Sequence, residues 1–516
     1  MVPQGRRRPR HRPDLGRRRG RRILGRAEPQ DGGALRLCEG RPDRPQARQR
    51  RRARARLTAV RRRLRPSGEG LSLSDRGRSC ASIAHPRSAR REGGPAAPPA
   101  RRVETTHRGS DGEVEKDSGL RVTSFPIPAI VAIPAHDEEE RIGAALAALA
   151  MQRDAAGAPL PAGSFSVLVL ANNCRDATVA VARAFADVAP FPLHIVDCQL
   201  PPAEAHAGGA RRAAMDRAAD LLAAEDAQDG IIVTTDADSH AQPTFMAATL
   251  AAFVPGVDAV AGYIEAHAGE YLALGAGFLR RGRLEDRYLA RVAELYALLD
   301  PRRHDPWPNH RVHSGAALAV RLSAYRAIGG LPMRPLGEDS ALAEALEDAG
   351  RHIRHSLEAV VTTSCRFDSR APGGAGDTMR ARHEDLDAPC DGDLEPADRL
   401  FRRARARGLL RRLHAAGRLG DDLGWRRRLG LSRDAAAALA ASDLPFSRLW
   451  RRVEAEGTAL ALGTPLRPSD LPREIDAVER LLARLDGLRS RRSTGPIDIQ
   501  ALAETRPGAI AVPMPR

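Results

Sequence analysis

Apolar and polar residues alternate in two different rhythms between residues 125 and 370. Short apolar runs are separated by stretches in which apolar side chains recur every three to four positions. The runs predict buried strands, and the longer stretches predict amphipathic helices. Strands are expected at Ala129–Ile133, Phe165–Leu170, Leu193–Asp197, Ile231–Thr235, Ala259–Glu265, Ala316–Val320 and Ala359–Thr363. Their alternation with helices predicts βαβ units and a mostly parallel sheet.

The helical pattern fills the gaps between these strands and continues to the C-terminal part of the chain. Within the α/β region, helices are expected at Glu138–Met151, Asp176–Phe185, Ala210–Ala224, Pro243–Phe253, residues 278–299, Ser323–Ile328 and Ser340–Ala349. Acidic residues in the first turn of Glu138–Met151 would suit the positive end of its dipole. Later helices are expected at Asp398–Ala415, Arg433–Ala441, Ser447–Glu456 and Ile475–Leu488.

These patterns divide the chain into four parts. Residues 1–124 are expected to be a disordered Arg/Pro/Gly-rich segment, and residues 125–370 an α/β domain. A flexible loop is expected at residues 371–390, and a helical extension at residues 391–516.

The first segment has no apolar period, so it predicts disorder. Three interpretations compete: a tail for nucleic acid or acidic surfaces, a targeting peptide, and an over-extended gene model whose first residues are not translated. We favour the third, because no methionine occurs between Met1 and Met151 and a start near Val122 would precede the first patterned segment.

The net charge of +17 is confined to one end of the chain. Residues 1–100 contribute +21, and the other 416 residues contribute −4. This excludes a uniformly basic nucleic-acid-binding protein. A protein that binds nucleic acid through its Arg-rich N-terminus stays open as an alternative.

Several kinds of site are excluded by residue usage. The single lysine, Lys116, is not in a GK[ST] sequence, so a P-loop is excluded and a Schiff-base enzyme is not expected. The six cysteines include no CxxC pair, which speaks against a zinc finger and fits a reducing compartment. No apolar run is long enough for a signal peptide or a membrane span, so a cytoplasmic protein is expected.

Two carboxylates follow the fourth predicted strand, in the sequence Thr235-Asp236-Ala237-Asp238. In extended chain, side chains two apart share a face, and the repulsion between two carboxylates favours a bound cation. Mg²⁺ or Mn²⁺ is the expected ion, because it combines one or two carboxylates with substrate phosphates.

Further motifs lie at the expected ends of strands and starts of helices. They are Pro134-Ala135-His136-Asp137-Glu138, Asn172-Asn173-Cys174-Arg175-Asp176, Gly208-Gly209-Ala210-Arg211-Arg212, Gly315–Arg321 followed by Gly329-Gly330, and Gly337-Glu338-Asp339. With the acidic pair, this ordered set resembles the family 2 glycosyltransferases, which have the GT-A fold, over roughly residues 127–370.

The resemblance implies a function and a set of roles. It implies metal-dependent, inverting transfer of a sugar from a nucleotide-sugar donor to a hydroxyl acceptor. Asp238 would hold the cation on the diphosphate, with Asp236 as a second ligand that faces the ribose or the sugar. Asp339 would be the general base, positioned by Glu338. The remaining donor-pocket residues would be Pro134, Ala135, Glu138, Asn172, Asp176 and Arg211.

Departures from the family pattern keep alternatives open. Ala171-Asn172 stands where the family has two aspartates, so the choice of nucleotide is open, as is a relative that binds nucleotide without catalysis. A nucleotidyltransferase is a further alternative, although the acidic Asp137–Glu140 disfavours it. Glu338-Asp339 alone would also suit a helix cap.

For the other candidate residues, a structural interpretation is weighed against a role in binding or chemistry. Arg366 and Arg370 are expected either to clamp a diphosphate or to form a solvated basic face, and Trp307 either to stack on a sugar or to anchor a loop. The histidines near the motifs are expected to be mainly structural, with His313 the best candidate for chemistry; they are His136, His206, His310, His313 and His355. The arginines of residues 402–412 are expected to form a solvated face, which leaves peripheral membrane contact open.

Overall fold

The apolar runs form the strands of one eight-stranded sheet. A computed structural model describes residues 128–368, 371–461 and 463–491. The strands are β1 (Ala129–Ala135), β2 (Ser166–Asn172), β3 (Leu193–Cys198), β4 (Ile231–Thr234), β5 (His240–Ala241), β6 (Ala259–Ala266), β7 (Leu318–Arg321) and β8 (Ile353–Thr363). Their order across the sheet is β3-β2-β1-β4-β7-β6-β8-β5.

The direction of the strands changes in the second half of the sheet. Strands β1 to β4 are parallel, and β6 is parallel to β8. Between them β7 runs antiparallel to both β4 and β6, and β5 is antiparallel to β8. The α/β fold class is therefore confirmed, with one antiparallel strand, β7, inside a mostly parallel sheet and another, β5, at its edge.

The central strands are buried on both faces, which explains why they read as continuous apolar runs. In β1, Val131 and Ile133 pack into one core, while Ile130 and Ala132 pack into the core on the opposite face. Full burial of a side chain of this size contributes roughly 1.5–3 kcal/mol.

Helices cover both faces of the sheet and continue beyond it. They are α1 (Ile142–Ala150), α2 (Thr178–Ala186), α3 (Ala207–Ala224), α4 (Phe245–Ala251), α5 (Ala268–Ala273), α6 (Gly275–Leu299), α7 (Leu322–Ala327), α8 (Glu338–Asp348), α9 (Ala375–Glu384), α10 (Ala397–Ala415), α11 (Trp425–Leu429), α12 (Arg433–Ala440), α13 (Phe446–Glu456) and α14 (Leu471–Arg491). Short 3₁₀ turns occur at Gly315–Ala317 and Thr458–Leu460. In the parts of the chain that we describe, no helix combines the length and the apolar character needed to cross a membrane.

A third core joins the α/β region to the C-terminal helices. It contains Tyr288 and Leu295 of α6, Leu400 of α10, and Leu471 and Val478 of α14. A smaller cluster around Trp425 and Trp450 lies beyond it.

The basic face of α10 is solvated only in part: Arg402 and Arg412 are exposed, whereas other arginines pair with acids of the packed helices. Arg407 and Arg411 bind the buried Asp300, with Arg411 Nε 2.6 Å from Asp300 Oδ1. Arg403 is buried with Glu395 and Glu454.

Several elements of the structure differ from those expected. Helix α1 begins at Ile142 rather than at Glu138, so the acidic residues before it lie in a loop and not in its first turn. The segment 371–390, expected to be a flexible loop, contains α9. The short β5 and α11 were not predicted, because two and five residues are too few to show a period. The predictions for residues 1–124 and 492–516 lie outside the described residues.

Candidate active site

The loops after β1 and β2 are tied together by carboxylates that accept backbone hydrogen bonds. Asp137 Oδ1 accepts the N–H of Arg175 at 2.7 Å, and Glu139 Oε2 accepts the N–H of Ala177 at 2.9 Å. In return, Asp176 Oδ2 accepts the N–H of Glu139 at 2.8 Å. These three carboxylates therefore shape the loops, and Asp176 also accepts two hydrogen bonds from Thr178 at the start of α2.

Asn172 ends β2 beside Ala135, which ends β1. Its Nδ2 donates to the carbonyl of Ala135 at 3.4 Å, and its own carbonyl lies 2.8 Å from Nδ1 of His136. Asn172 and Ala135 are buried, and Pro134 is half-buried. The structure thus brings these three predicted pocket residues to one place at the carboxyl edge of the sheet.

The ligand atoms of His136, Asp137 and Cys174 lie within 4.8 Å of one another at the same edge. Burial raises the pKa of the Cys174 thiol, which is unfavourable for the thiolate that a metal ion needs. Nδ1 of His136 and Oδ1 of Asp137 are already hydrogen-bonded within the loops.

Asp236 and Asp238 lie in a turn and not in extended chain, so that part of the sequence argument is wrong. Strand β4 ends at Thr234, and the N–H of Ser239 donates to the carbonyl of Asp236 at 3.1 Å. The two carboxylates consequently have different partners. Asp236 contacts α3, whereas Asp238 contacts the residues that follow β8.

Arg211 connects four elements beneath this turn. Its guanidinium donates to Asp236 Oδ1 at 2.8 Å and to Glu338 Oε1 at 3.0 Å. It also donates to Thr234 Oγ1 and to the carbonyl of Gly315. Burial alone would lower the pKa of Arg211, but the carboxylates of Asp236 and Glu338 raise it above its ordinary value. Arg211 therefore positions the two acidic motifs with most of its N–H groups.

Two glycines make this close packing possible. A Cβ on Gly208 would lie 1.9 Å from the carbonyl oxygen of Arg334, and one on Gly315 would lie 2.4 Å from Cζ of Arg211. The glycines at the start of α3 and before β7 thus allow the loops of the site to approach.

Glu338 and Asp339 begin α8 but do not serve as its cap. The cap position is Gly337, whose φ of 69° is left-handed. Glu338 is buried against Arg211, while Asp339 Oδ2 accepts the N–H of Gly315 at 3.1 Å. Asp339 Oδ1 accepts the N–H of Ser340, and its side chain is partly exposed at the site.

Arg366 binds both carboxylates that flank the predicted diphosphate site. Its guanidinium forms a bidentate pair with Glu138, with one bond of 2.9 Å, and lies 3.2 Å from Asp238 Oδ2. Ser364 Oγ donates to the same Asp238 oxygen at 2.6 Å. Arg366 is therefore not part of a solvated face, and its guanidinium is occupied by these carboxylates rather than open to a ligand. Arg370 lies outside the described residues.

A cavity of about 440 Å³ opens beside these groups. Six acidic and three basic side chains line it: Asp137, Glu138, Glu139, Glu140, Asp176, Asp368, Arg141, Arg175 and Arg366. This surplus of negative charge would repel a diphosphate unless a cation accompanied it.

The residues of the turn fit a hard divalent cation. Asp236 and Asp238 each bind protein groups through one carboxylate oxygen, and the described contacts leave the other oxygen to a ligand. The hydroxyls of Thr235 and Ser239 on either side of Asp236 are buried without a hydrogen-bond partner in the described structure. Oxygen donors of this kind suit Mg²⁺ or Mn²⁺.

The other four candidate histidines also have structural contacts. His206 caps α3 by accepting the N–H of Gly209, and His310 lies 3.1 Å from the carbonyl of Ala261. His355 is held by the buried Asp305 at 2.8 Å, and its Nε2 is 3.1 Å from Nε2 of His313. Burial lowers the pKa of His355 to about 3, against the opposing effect of Asp305.

Sequence reasoning missed Asp305 and Ser364, which hold predicted site residues in place. Each is a single residue in an irregular segment, with no motif around it. The only signal was position: Ser364 immediately follows the predicted strand that ends at Thr363.

The fold and the site define a mixed α/β protein whose polar loops gather at the carboxyl edge of its parallel strands, where such sheets bind ligands. Residues 130–286 match the model of a family described as glycosyl transferase family 2. The resemblance to family 2 glycosyltransferases and the GT-A-like fold are thereby confirmed. Comparison with curated proteins found no match.

Solved glycosyltransferase structures are similar to the chain at low identity. The mannosyltransferase PcManGT of Pyrobaculum calidifontis, in complex with GDP-Man and Mn²⁺, is 16% identical with a TM-score of 0.34, over 74% of this chain and 79% of that one. TarS 1–349 of S. aureus with UDP is 15% identical with a TM-score of 0.34, over 69% and 92%. Glucosyl-3-phosphoglycerate synthase of Mycobacterium tuberculosis, with Mn²⁺, UDP-glucose and phosphoglyceric acid, is 18% identical with a TM-score of 0.28, over 52% and 83%.

Proposed function

We propose that the protein transfers a sugar from a nucleotide-sugar donor to a hydroxyl acceptor with inversion and with the help of Mg²⁺ or Mn²⁺. One observation carries this proposal: a single guanidinium, that of Arg211, binds Asp236 on one side and Glu338 on the other. Two acidic motifs about a hundred residues apart in sequence thus belong to one site.

Asp339 is the general base in this proposal. Its carboxylate is fixed by the N–H groups of Gly315 and Ser340, and it is exposed enough to accept a proton from an acceptor hydroxyl. The acceptor oxygen forms a bond to the anomeric carbon while the bond from that carbon to the diphosphate breaks. The proton moves to Asp339, and the electron pair leaves with the nucleoside diphosphate. A well-placed base contributes on the order of 10²–10⁴ in rate.

Asp236 and Asp238 would hold the divalent cation. When bound, the cation would supply Lewis-acid neutralisation of the leaving diphosphate. The cation is needed on electrostatic grounds, because the 440 Å³ cavity is lined mainly by acids. Glu138, Asn172, Pro134, Ala135 and Asp176 form the protein side of the donor pocket in this proposal.

The test is turnover of a panel of UDP-, GDP- and dTDP-sugars with Mn²⁺, with donor hydrolysis as the first readout. Asp339→Asn should lower turnover by roughly 10²–10⁴ while donor binding is retained. Asp220→Asn is the matched control, because Asp220 lies exposed on α3, away from the turn. Full activity in Asp339→Asn, or a panel without binding or turnover, would refute the proposal. Activity that survives chelation and Asp238→Ala would refute the role of the metal.

A further inference from the structure

A second cavity, of about 190 Å³, lies between the end of α6 and residues 300–311. Tyr296 borders it from α6, and Arg302, Trp307, Asn309 and Arg311 border it from the loop. We refer to it as the loop cavity. None of the roles assigned to the donor site uses it.

Asn309 lines the loop cavity and has a buried acceptor without a partner. The residue is 8% exposed, and its Nδ2 donates to the carbonyl of Asp305 at 2.9 Å. Its Oδ1 has no hydrogen bond within the described structure. An unsatisfied buried group of this kind costs about 1–3 kcal/mol, which a ligand donor such as a hydroxyl would offset.

Arg311 presents a cation to the same cavity. Its guanidinium lies over the ring of Tyr296, 3.8 Å from the centroid, and among the described residues it has no ion pair or hydrogen bond. Burial lowers the pKa of Arg311, which is half-buried. Its N–H groups are suited to a bidentate carboxylate or phosphate.

The charged residues that line the loop cavity are Arg302, Arg311, Asp300 and Asp305. Asp305 is shared by Arg302 and Arg354, and Asp300 is shared by Arg407 and Arg411. Both acids of the lining are thus already paired. Arg311 is the cation of the lining that has no ion pair in the described structure, which favours an anionic ligand.

The size of the loop cavity limits the ligand. A volume of 190 Å³ corresponds to roughly six water molecules at about 30 Å³ each. This accommodates one phosphate or carboxylate group with a few carbon atoms. Trp307, 42% exposed at the rim, offers an apolar face to the part of the ligand that leaves the cavity.

The sheet connects the loop cavity to the donor site. Thr234, Leu318, Ala261 and His355 are register partners on the neighbouring strands β4, β7, β6 and β8. Thr234 contacts Arg211 at one end of this row, and His355 contacts Asp305 of the loop cavity at the other. Three strand spacings give a span of about 14 Å.

We propose that the loop cavity binds the anionic end of the acceptor, a phosphate or carboxylate group on a molecule long enough to place a hydroxyl at Asp339, through Arg311, Asn309 and Trp307. The use of this ligand as an acceptor rests on the proposed function. The binding site itself does not, because it is defined by its own unpaired groups.

The test is calorimetric titration of the full chain with inorganic phosphate, with glycerol 3-phosphate and with glycerol, in the presence of a chelator. The two anions should bind and glycerol should not. Arg311→Gln should weaken anion binding at least about tenfold, the equivalent of about 1.4 kcal/mol. Asn309→Asp should weaken it as well, because a second carboxylate would face the anion. Arg326→Gln is the matched control, since Arg326 is an exposed arginine on α7 without a described contact.

Arg311→Lys and thermal melting keep the result interpretable if Arg311→Gln folds poorly. A folded lysine variant should bind with intermediate affinity. Equal affinity of Arg311→Gln and the unaltered chain, or absence of anion binding, would overturn the proposal. Anion binding that depends on Arg311 in a chain that turns over no nucleotide sugar would leave the cavity assigned and the transferase proposal refuted. Donor turnover without anion binding would refute the proposal for the loop cavity and leave the transferase proposal standing.

Discussion

Arg211→Met would remove the cation that joins the two acidic motifs. The methionine is similar in length and apolar, so it fills much of the space but donates nothing. Asp236, Glu338, Thr234 and the carbonyl of Gly315 would lose their common donor.

Most of the expected loss in the free energy of unfolding comes from Glu338. Its side chain is 8% exposed, whereas that of Asp236 is 34% exposed and can be rehydrated. Breaking a buried ion pair by removal of one partner costs about 3–5 kcal/mol. We therefore expect a loss of this size in the free energy of unfolding of the α/β region.

Urea unfolding followed by far-ultraviolet circular dichroism measures this loss. Arg212→Met is the matched control: it is the next residue on α3, is 31% exposed and bonds mainly to loop carbonyls, so it should lose less than about 1 kcal/mol. Adding Glu338→Gln to Arg211→Met should recover part of the stability, because the buried negative charge is then gone.

The dependence on pH supplies a second check. A buried carboxylate without a cation takes up a proton more readily in the folded than in the unfolded chain, so the folded variant binds more protons. Stability of Arg211→Met should therefore increase relative to that of the unaltered chain as the pH falls. A loss below about 1 kcal/mol, or a loss that neither pH nor Glu338→Gln reduces, would refute the assignment of Arg211 as the buried link between these motifs.

Two further predictions concern packing and acid stability. Gly208→Ala should destabilise the chain by about 1–3 kcal/mol in urea unfolding, because the added Cβ would lie 1.9 Å from the carbonyl oxygen of Arg334. Gly392→Ala is the control, because a Cβ added there would have no atom within 4 Å. Equal losses in the two variants would contradict the reasoning. The free energy of unfolding should decrease as the pH is lowered below about 6.5. Burial lowers the pKa of His355 to about 3 and that of His310 to about 4. As the pH falls, the unfolded chain therefore protonates these histidines before the folded chain does. His355→Gln should flatten this slope in urea midpoints measured across the pH range, and an unchanged slope would rule His355 out as a contributor.

The parallel half of the sheet could be predicted because its strands are buried on both faces. Val131 and Ile130 enter opposite cores, so β1 is apolar at every position and stands out from the polar loops around it. Strand β8 was predicted only from Ala359, although it begins at Ile353. Its first half contains Arg354 and the buried His355, and polar residues in a strand obscure an apolar run.

The site was predictable where loops follow strands and less so where distant segments meet. The positions of Asp236 and Asn172 at the edge of the sheet follow from strand ends. The bidentate pair between Glu138 and Arg366 could not be predicted, because the two residues are 228 positions apart and an arginine after a strand has many potential partners. The basic face of α10 was misjudged for the same reason: a solvated face and a face buried against Asp300 have the same sequence pattern.

Helix α6 has a consequence for how the chain is made. Its inner side, with Tyr288 and Leu295, is covered by α14, which starts 172 residues after α6 ends. At about 5–20 residues per second, a ribosome needs roughly 9–34 s to add those residues. During this interval the nascent α/β region can complete its sheet while α6 still exposes an apolar surface. Synthesis of the chain therefore passes through a stage in which this face of α6 lacks the cover that α14 provides.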